Sequence, residues 1–435
     1  MILALESFQT FTNNMQYQLL SNSLFIKRIV LFVFCLIPLC LLSQIIKIDS
    51  NSAPTQNDKN ISKSKADTSI LKDMEEIIVA KFHIKTKKLP KNGRQSIYFS
   101  LIPVSSTVPR GSLASLSSTN GAFYLGERKY TSISNITFSP YPSFDGRYNV
   151  PFSINIWLNK NTWKIVGETR FMISPEDTWG LGGNTDQNHR VYVHYNYLRI
   201  YQTIYKKMAN DFFVGLGYDF DDHFHIRTAH DTLSKFTNYN YGTGKNSLSA
   251  GLTFNLLYDS RDNSVNPLSG WLSNFIYRNN ALIPGSNTNW QSLYIDVRKY
   301  IPFSVRQQNV LAFWSYYWTV LNGNVPYLDL PSIGWEMNTN SGRGFEQNRY
   351  RGKGLFYLES EYRHDLTSNG LFGYVLFANL HSVTEYPTNQ FTYWHPAAGL
   401  GLRIKLDKNS RTNICIDYAF SKEHKGFYLN LGERF

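Results

Sequence analysis

Cysteine is nearly absent: there are three in 435 residues, and two of them, Cys35 and Cys40, sit in an N-terminal apolar run. Once that run is removed Cys415 stands alone, which excludes disulfide stapling and a cysteine-based metal centre. Charge is sparse as well, with Asp, Glu, Lys and Arg at 17% against the usual quarter. A mean hydropathy of −0.32 excludes a polytopic helical membrane protein, and an apolar fraction of 42% is too high for a disordered chain. What is abundant is the aromatic ring: 29 Tyr, 29 Phe and 9 Trp make up 15% of the chain. Length alone suggests two or three soluble domains. Many Tyr and Phe with little charge instead fit one large β-structure whose rings sit at boundaries between oil and water. The net charge is +12, from 44 Lys and Arg against 32 Asp and Glu.

Lys27 and Arg28 precede Ile29 to Leu42, fourteen residues without a charge. Fourteen is too few to cross the hydrocarbon as a helix, which takes about 20. A basic start, a short apolar core and a polar stretch from Gln44 describe a secretory signal, so residues 1–43 are expected to be a signal region, with a possible true start at Met15. Residues 44–95 carry 11 Lys and Arg against 6 Asp and Glu, a local +5. They read as a polar periplasmic leader, and in an exported chain such basicity suits anionic lipid headgroups better than nucleic acid.

From residue 96 to 435 the pattern has period two. Leu252, Phe254, Leu256 and Tyr258 alternate with Gly251, Thr253 and Asn255; Thr412, Ile414, Ile416, Tyr418 and Phe420 alternate with Arg411, Asn413, Cys415 and Asp417. Tyr357, Glu359, Glu361 and Arg363 share a side opposite Phe356, Leu358 and Tyr362. Successive strand side chains face opposite ways. A sandwich would bury the apolar face; a transmembrane barrel turns it to lipid and the polar face to the lumen. Aromatics crowded at strand ends favour the barrel. Sixteen strands are expected, at 97–104, 121–127, 129–139, 149–158, 162–172, 190–202, 209–220, 247–259, 270–279, 290–300, 308–319, 354–364, 372–380, 396–406, 411–420 and 426–435. The fold class is therefore all-β, a 16-stranded antiparallel transmembrane β-barrel, closed because an open edge in lipid leaves backbone groups unpaired.

Three patches occur in order: Tyr258-Asp259-Ser260-Arg261-Asp262-Asn263 with Gly270; Gly342-Arg343-Gly344-Phe345 with Glu361-Tyr362-Arg363; and Gly399-Leu400-Gly401-Leu402-Arg403, Asp417-Tyr418-Ala419 and a final strand ending in Phe435. Together they resemble the bacterial surface antigen family, the BamA/TamA-type outer-membrane assembly and translocation barrels, over about 140–435. The resemblance implies sixteen strands and a sixth outer loop that folds into the lumen and carries the Arg-Gly-Phe motif; Arg343 falls between expected strands 11 and 12, in that loop. A buried guanidinium needs a partner. By the alternation Glu361 and Asp417 both point inward, and Glu361 matches the family's acidic partner. Gly342 and Gly344 let the backbone pass close to the wall, with Phe345 as anchor. Asp259, Arg261, Asp262 and Gly270 form a rim turn held by charge-assisted hydrogen bonds. Phe427, Leu429, Leu431 and Phe435 share one face of the last strand and resemble the signal that outer-membrane proteins present for their own assembly.

Two departures stand out. The family's Phe-x-Asp-x-Gly pattern in strand 13 reads Phe377-Ala378-Asn379-Leu380-His381 here, so one acidic partner of the loop is missing. Residues 44–95 are also too few for a POTRA module of about 75 residues. His223, His225 and His230 with Asp221 and Asp222 suggest a metal, but in a loop-like segment without defined geometry. No Gly-x-Ser-x-Gly elbow supports a hydrolase, and neither an enzyme nor a cofactor is expected. The expected function is protein insertion or translocation at the outer membrane of a Gram-negative bacterium. The expected partners are outer-membrane lipid, client outer-membrane proteins or periplasmic accessory proteins, and the barrel assembly machinery for its own insertion, with no nucleic acid. A passive or gated pore for small solutes or lipids is the alternative, and a surface antigen or adhesin a third reading.

Overall fold

The computed structural model describes residues 98–107, 113–127, 130–138, 141–142, 148–228, 233–281, 288–303, 309–337, 340–408 and 411–435. The signal region 1–43, Met15, the leader 44–95 and His230 lie outside the described residues. The described residues belong to one compact unit, Ala66–Phe435, and nearly all the regular structure among them is strand.

The strands are β1 (Tyr98–Thr107), β2 (Leu113–Phe123), β3 in two pieces (Ser134–Phe138 and Tyr141–Pro142), β4 (Tyr148–Trp157), β5 (Trp163–Thr178), β6 (Val191–Ala209), β7 (Phe212–Thr228) and β8 (Asn246–Asp259). They continue with β9 (Gly270–Asn280), β10 (Trp290–Pro302), β11 (Val310–Gly323), β12 (Gly354–Asp365), β13 (Phe372–Val383), β14 (His395–Asp407), β15 (Thr412–Ser421) and β16 (Lys425–Leu431). Each pairs antiparallel with the next, from β1 with β2 to β15 with β16. This is the expected sixteen-strand order. β1 also lies beside β16, with no ladder between them among the described residues. A short helix, α1 (Leu233–Thr237), lies in the β7–β8 loop.

Several boundaries differ from the sequence reading. The second strand is Leu113–Phe123, not 121–127; its Ser-, Thr- and Gly-rich stretch has none of the alternation by which strands were recognised. β6 and β7 run to 19 and 17 residues, well past the 9–11 that cross a bilayer. Their polar ends therefore stand clear of lipid, and this is why His223 lies in a strand and not in a loop.

Exposure is inverted relative to a soluble protein. In β8, Leu252 is 65% and Phe254 41% exposed, while Thr253 and Asn255 between them are 3% and 1%. Leu216, Ile204, Leu376 and Leu400 are exposed in the same way, and Glu359 and Glu361 are buried. Water would penalise that arrangement at about 25 cal/mol per Å² of apolar surface; lipid outside and a polar lumen reward it. Trp163, Tyr258, Trp271, Phe303 and Phe372 are exposed beside the short turns, Tyr386, Tyr393 and Trp394 beside the long loops. These are the two girdles of an outer-membrane barrel.

The core of the molecule is the lumen. Residues 324–337 and 340–353, between β11 and β12, fold inward. Their Val325, Tyr327, Leu328, Leu330 and Trp335 pack with Val193, Tyr195, Tyr197 and Trp290 of the wall, while Ile333, Phe345 and Tyr350 pack with Trp314, Tyr316 and Tyr357.

Candidate functional site

The inward loop is seated on the strands nearest the C-terminus. Gly342 and Gly344 have φ of 77° and 92°, a region open to glycine. A Cβ on Gly344 would lie 2.8 Å from the Ala397 methyl, so only hydrogen fits there. The Gly342 N–H donates to Tyr357 Oη (3.2 Å) and the Gly344 N–H to Tyr428 Oη (2.9 Å), tying the turn to β12 and to β16. Between these glycines Arg343 is 1% exposed.

Its guanidinium donates to Asp417 (2.7 Å) on β15 and to Glu359 and Glu361 on β12, and lies 3.5 Å from the centre of the Phe377 ring on β13. Three carboxylates thus meet one planar fork. Glu359 also accepts from Tyr357 Oη. Glu361 accepts from Arg363 (2.8 Å), and Asp417 from Arg403 (2.5 Å). The acid missing from β13 has a different use: Asn379 Nδ2 donates to the Arg343 carbonyl (2.9 Å). Where the family carries glycine, His381 packs edge-on to Phe345 (4.5 Å), and Tyr350 stacks on His395 (3.9 Å).

Farther out, the same loop is fastened again. Arg351 is fully buried and donates to Glu176 of β5 (2.9 Å) and to the carbonyls of Tyr327 (2.9 Å) and Leu328 (3.1 Å). Arg349 reaches Glu423 (3.0 Å) and the Thr185 carbonyl (2.7 Å). Asp329 accepts from Ser249 of β8 (2.6 Å) and faces His223 Nδ1 at 3.4 Å.

At the short-turn rim, Arg261 forms a bidentate pair with Asp259 (2.8 and 2.9 Å). Asp262 does not hold Arg261: it accepts from the Leu268 and Ser269 N–H groups (2.9 and 3.1 Å) and pairs with Arg411 of the next turn but two. Gly270 sits at φ 105°, and a Cβ there would come within 2.3 Å of the Ser260 carbonyl oxygen.

The final residues do not share one face. β16 stops at Leu431 and Gly432 turns at φ 81°. Phe427 is 63% exposed on the outside, Leu429 is half-buried, and Phe435 is 4% exposed against Trp314 inside the lumen. The reason is Glu433, whose carboxylate would meet lipid if the strand ran on. The side chain of Leu431 lies outside the described residues.

The histidine segment separates likewise. Asp221 accepts from Arg278 (2.6 Å) and Tyr197 (2.5 Å), and His223 stacks on Tyr197 (4.2 Å). No group of three metal-ligating side chains occurs among the described residues.

Glu359, Arg363, Arg403, Tyr428 and Glu433 escape the sequence reading as partners of the site. The alternation already placed Glu359 and Arg363 on the inward face. Which of them the loop reaches depends on cross-strand register, which alternation does not carry.

A sheet with lipid-facing leucines, two aromatic girdles and a lumen filled by its own loop defines a plugged outer-membrane β-barrel. Residues 127–435 match the Omp85 superfamily domain. The chain belongs to the Omp85 superfamily. Among solved structures it is similar to BamA from Haemophilus ducreyi lacking POTRA domains 1–3, at 14% identity and a TM-score of 0.49, over 78% of this chain and 70% of that one. It is also similar to CdiB from Acinetobacter baumannii, at 11% identity and a TM-score of 0.48, over 78% of this chain and 66% of that one. No curated protein sequence matches the chain.

Proposed function

We propose that this barrel inserts or translocates proteins at the outer membrane of a Gram-negative bacterium, with lipid and client outer-membrane proteins as its partners. The observation that carries this reading is the lumen loop clamped through Arg343 to β12 and β15. A lumen packed with its own chain is poorly suited to steady solute flow. The edge where β1 and β16 approach without a ladder among the described residues is suited to opening sideways, and the clamp braces the strands beside it. Membership of the Omp85 superfamily supports the same reading.

The test is cysteine crosslinking across β1 and β16 in living cells, followed by identification of trapped chains. Recovery of outer-membrane or secreted proteins on the open edge, with loss of their assembly when the edge is locked, is expected. A locked barrel that leaves every client unaffected would sink the proposal. Planar-bilayer conductance separates the pore reading, which demands a large steady current without any client.

A further inference from the structure

β16 alternates outward Phe427 and Leu429 with inward Tyr428. If it continued past Leu431, the odd positions Glu433 and Phe435 would face lipid, and a carboxylate in hydrocarbon costs several kcal/mol. Gly432 prevents this by turning the chain inward. Glu433, its side chain 1% exposed, then accepts from Arg403 (2.8 Å) and from Asn413 (2.7 Å). The Phe435 ring lies 5.3 Å from that of Trp314 and 6.4 Å from that of Tyr300, and the Phe435 carbonyl accepts from Arg363 (2.9 Å).

These partners belong to the Arg343 clamp. One path runs Glu433–Arg403–Asp417–Arg343 and a second runs Phe435–Arg363–Glu361–Arg343. A direct bond joins Asn340 Nδ2 of the lumen loop to the Arg434 carbonyl (2.9 Å). Removing the loop's guanidinium would leave Asp417 and Glu361 to compete for Arg403 and Arg363, which hold the tail. Freeing the tail would unbalance the same carboxylates from the other side.

We infer that residues 432–435 are a latch: the tail and the lumen loop are docked or released together. The tail ends the strand at the β1–β16 edge, so the position of the loop inside the lumen is linked to the length of that edge. The coupling holds whether or not the barrel handles client proteins, and its test does not use them.

Hydrogen exchange followed by mass spectrometry on the full chain in detergent reads both partners at once. Phe435→Ala and Glu433→Gln should speed exchange of residues 340–345, far from Phe435 in sequence, by about tenfold. Arg343→Lys should in turn speed exchange of residues 432–435 several-fold, because coupling between two sites runs in both directions. Heat-modifiable mobility on gels selects folded barrels for comparison. Asn340→Cys with Arg434→Cys, joined by a short bifunctional thiol reagent, gives the opposite arm: linked protein should exchange more slowly than unlinked protein throughout 340–353, a gain that misfolding cannot mimic. The latch is overturned if tail variants change only tail exchange, or if linking leaves the loop's rates as they were.

Discussion

At the scale of single residues, Arg343 has the most at stake. Its three carboxylate partners are buried, and removing one side of a buried ionic group costs about 3–5 kcal/mol because the other side stays unpaired. Arg343→Ala should therefore lower the temperature at which the barrel loses its heat-modifiable mobility. Arg343→Lys should recover only part of the loss, since an ammonium lacks the planar fork. Asn379→Asp makes the opposite kind of test. It restores the family's acid, yet it should destabilise by about 1–3 kcal/mol, because the Arg343 carbonyl would lose its donor and face a fourth carboxylate. Urea midpoints of the folded, detergent-solubilised protein measure both. Arg343 stands out in the chain through the Gly-Arg-Gly-Phe motif of the family it resembles, and Glu361 and Asp417 through their inward places in the alternation; Glu359, on the same face, is singled out by neither. Glu433 and Phe435 could not be placed from the chain: a single glycine with positive φ moves them from the lipid face to the lumen, and nothing in the alternation announces its dihedral angle.

At the scale of elements, turn and loop make distinct predictions. Gly270→Ala places a Cβ 2.3 Å from the Ser260 carbonyl at a φ of 105°, so the rim turn must shift. The expected result is a loss of about 1–3 kcal/mol, visible as faster proteolytic nicking of the β8–β9 turn. In the lumen loop, burial and the neighbouring Asp221 charge push the Asp329 carboxyl up to about 7. A raised acid pKa means that the folded state keeps a proton the unfolded chain releases. Its contribution to stability is whole below pH 4 and is lost as pH rises through 7. Asp329→Asn should flatten the thermal stability profile between pH 4 and 7; an unchanged slope would remove Asp329 from the explanation. The strands themselves were legible wherever lipid sits on one side and lumen on the other, as in β8 and β12. They were misjudged where that contrast is absent, in the Ser- and Thr-rich β2 and in the stretches of β6 and β7 that clear the membrane.

At the scale of the whole molecule, the filled lumen sets permeability. Purified barrel in planar bilayers should show little steady current, and Arg343→Ala should add openings by loosening the loop. A large quiet conductance in the unaltered protein would favour the pore reading instead. The wall is also uneven in height. β6 has 19 residues and β16 seven. Seven residues at about 3.3 Å each reach roughly 23 Å along the strand, and tilt shortens that further against an apolar band near 25 Å tall. Lipids beside the last strand must therefore compress or part to match it, while those beside β6 need not. The low stretch of wall at β16 thus coincides with the edge where, among the described residues, β1 and β16 share no ladder, so lipid there meets a shorter apolar face than it does beside β6.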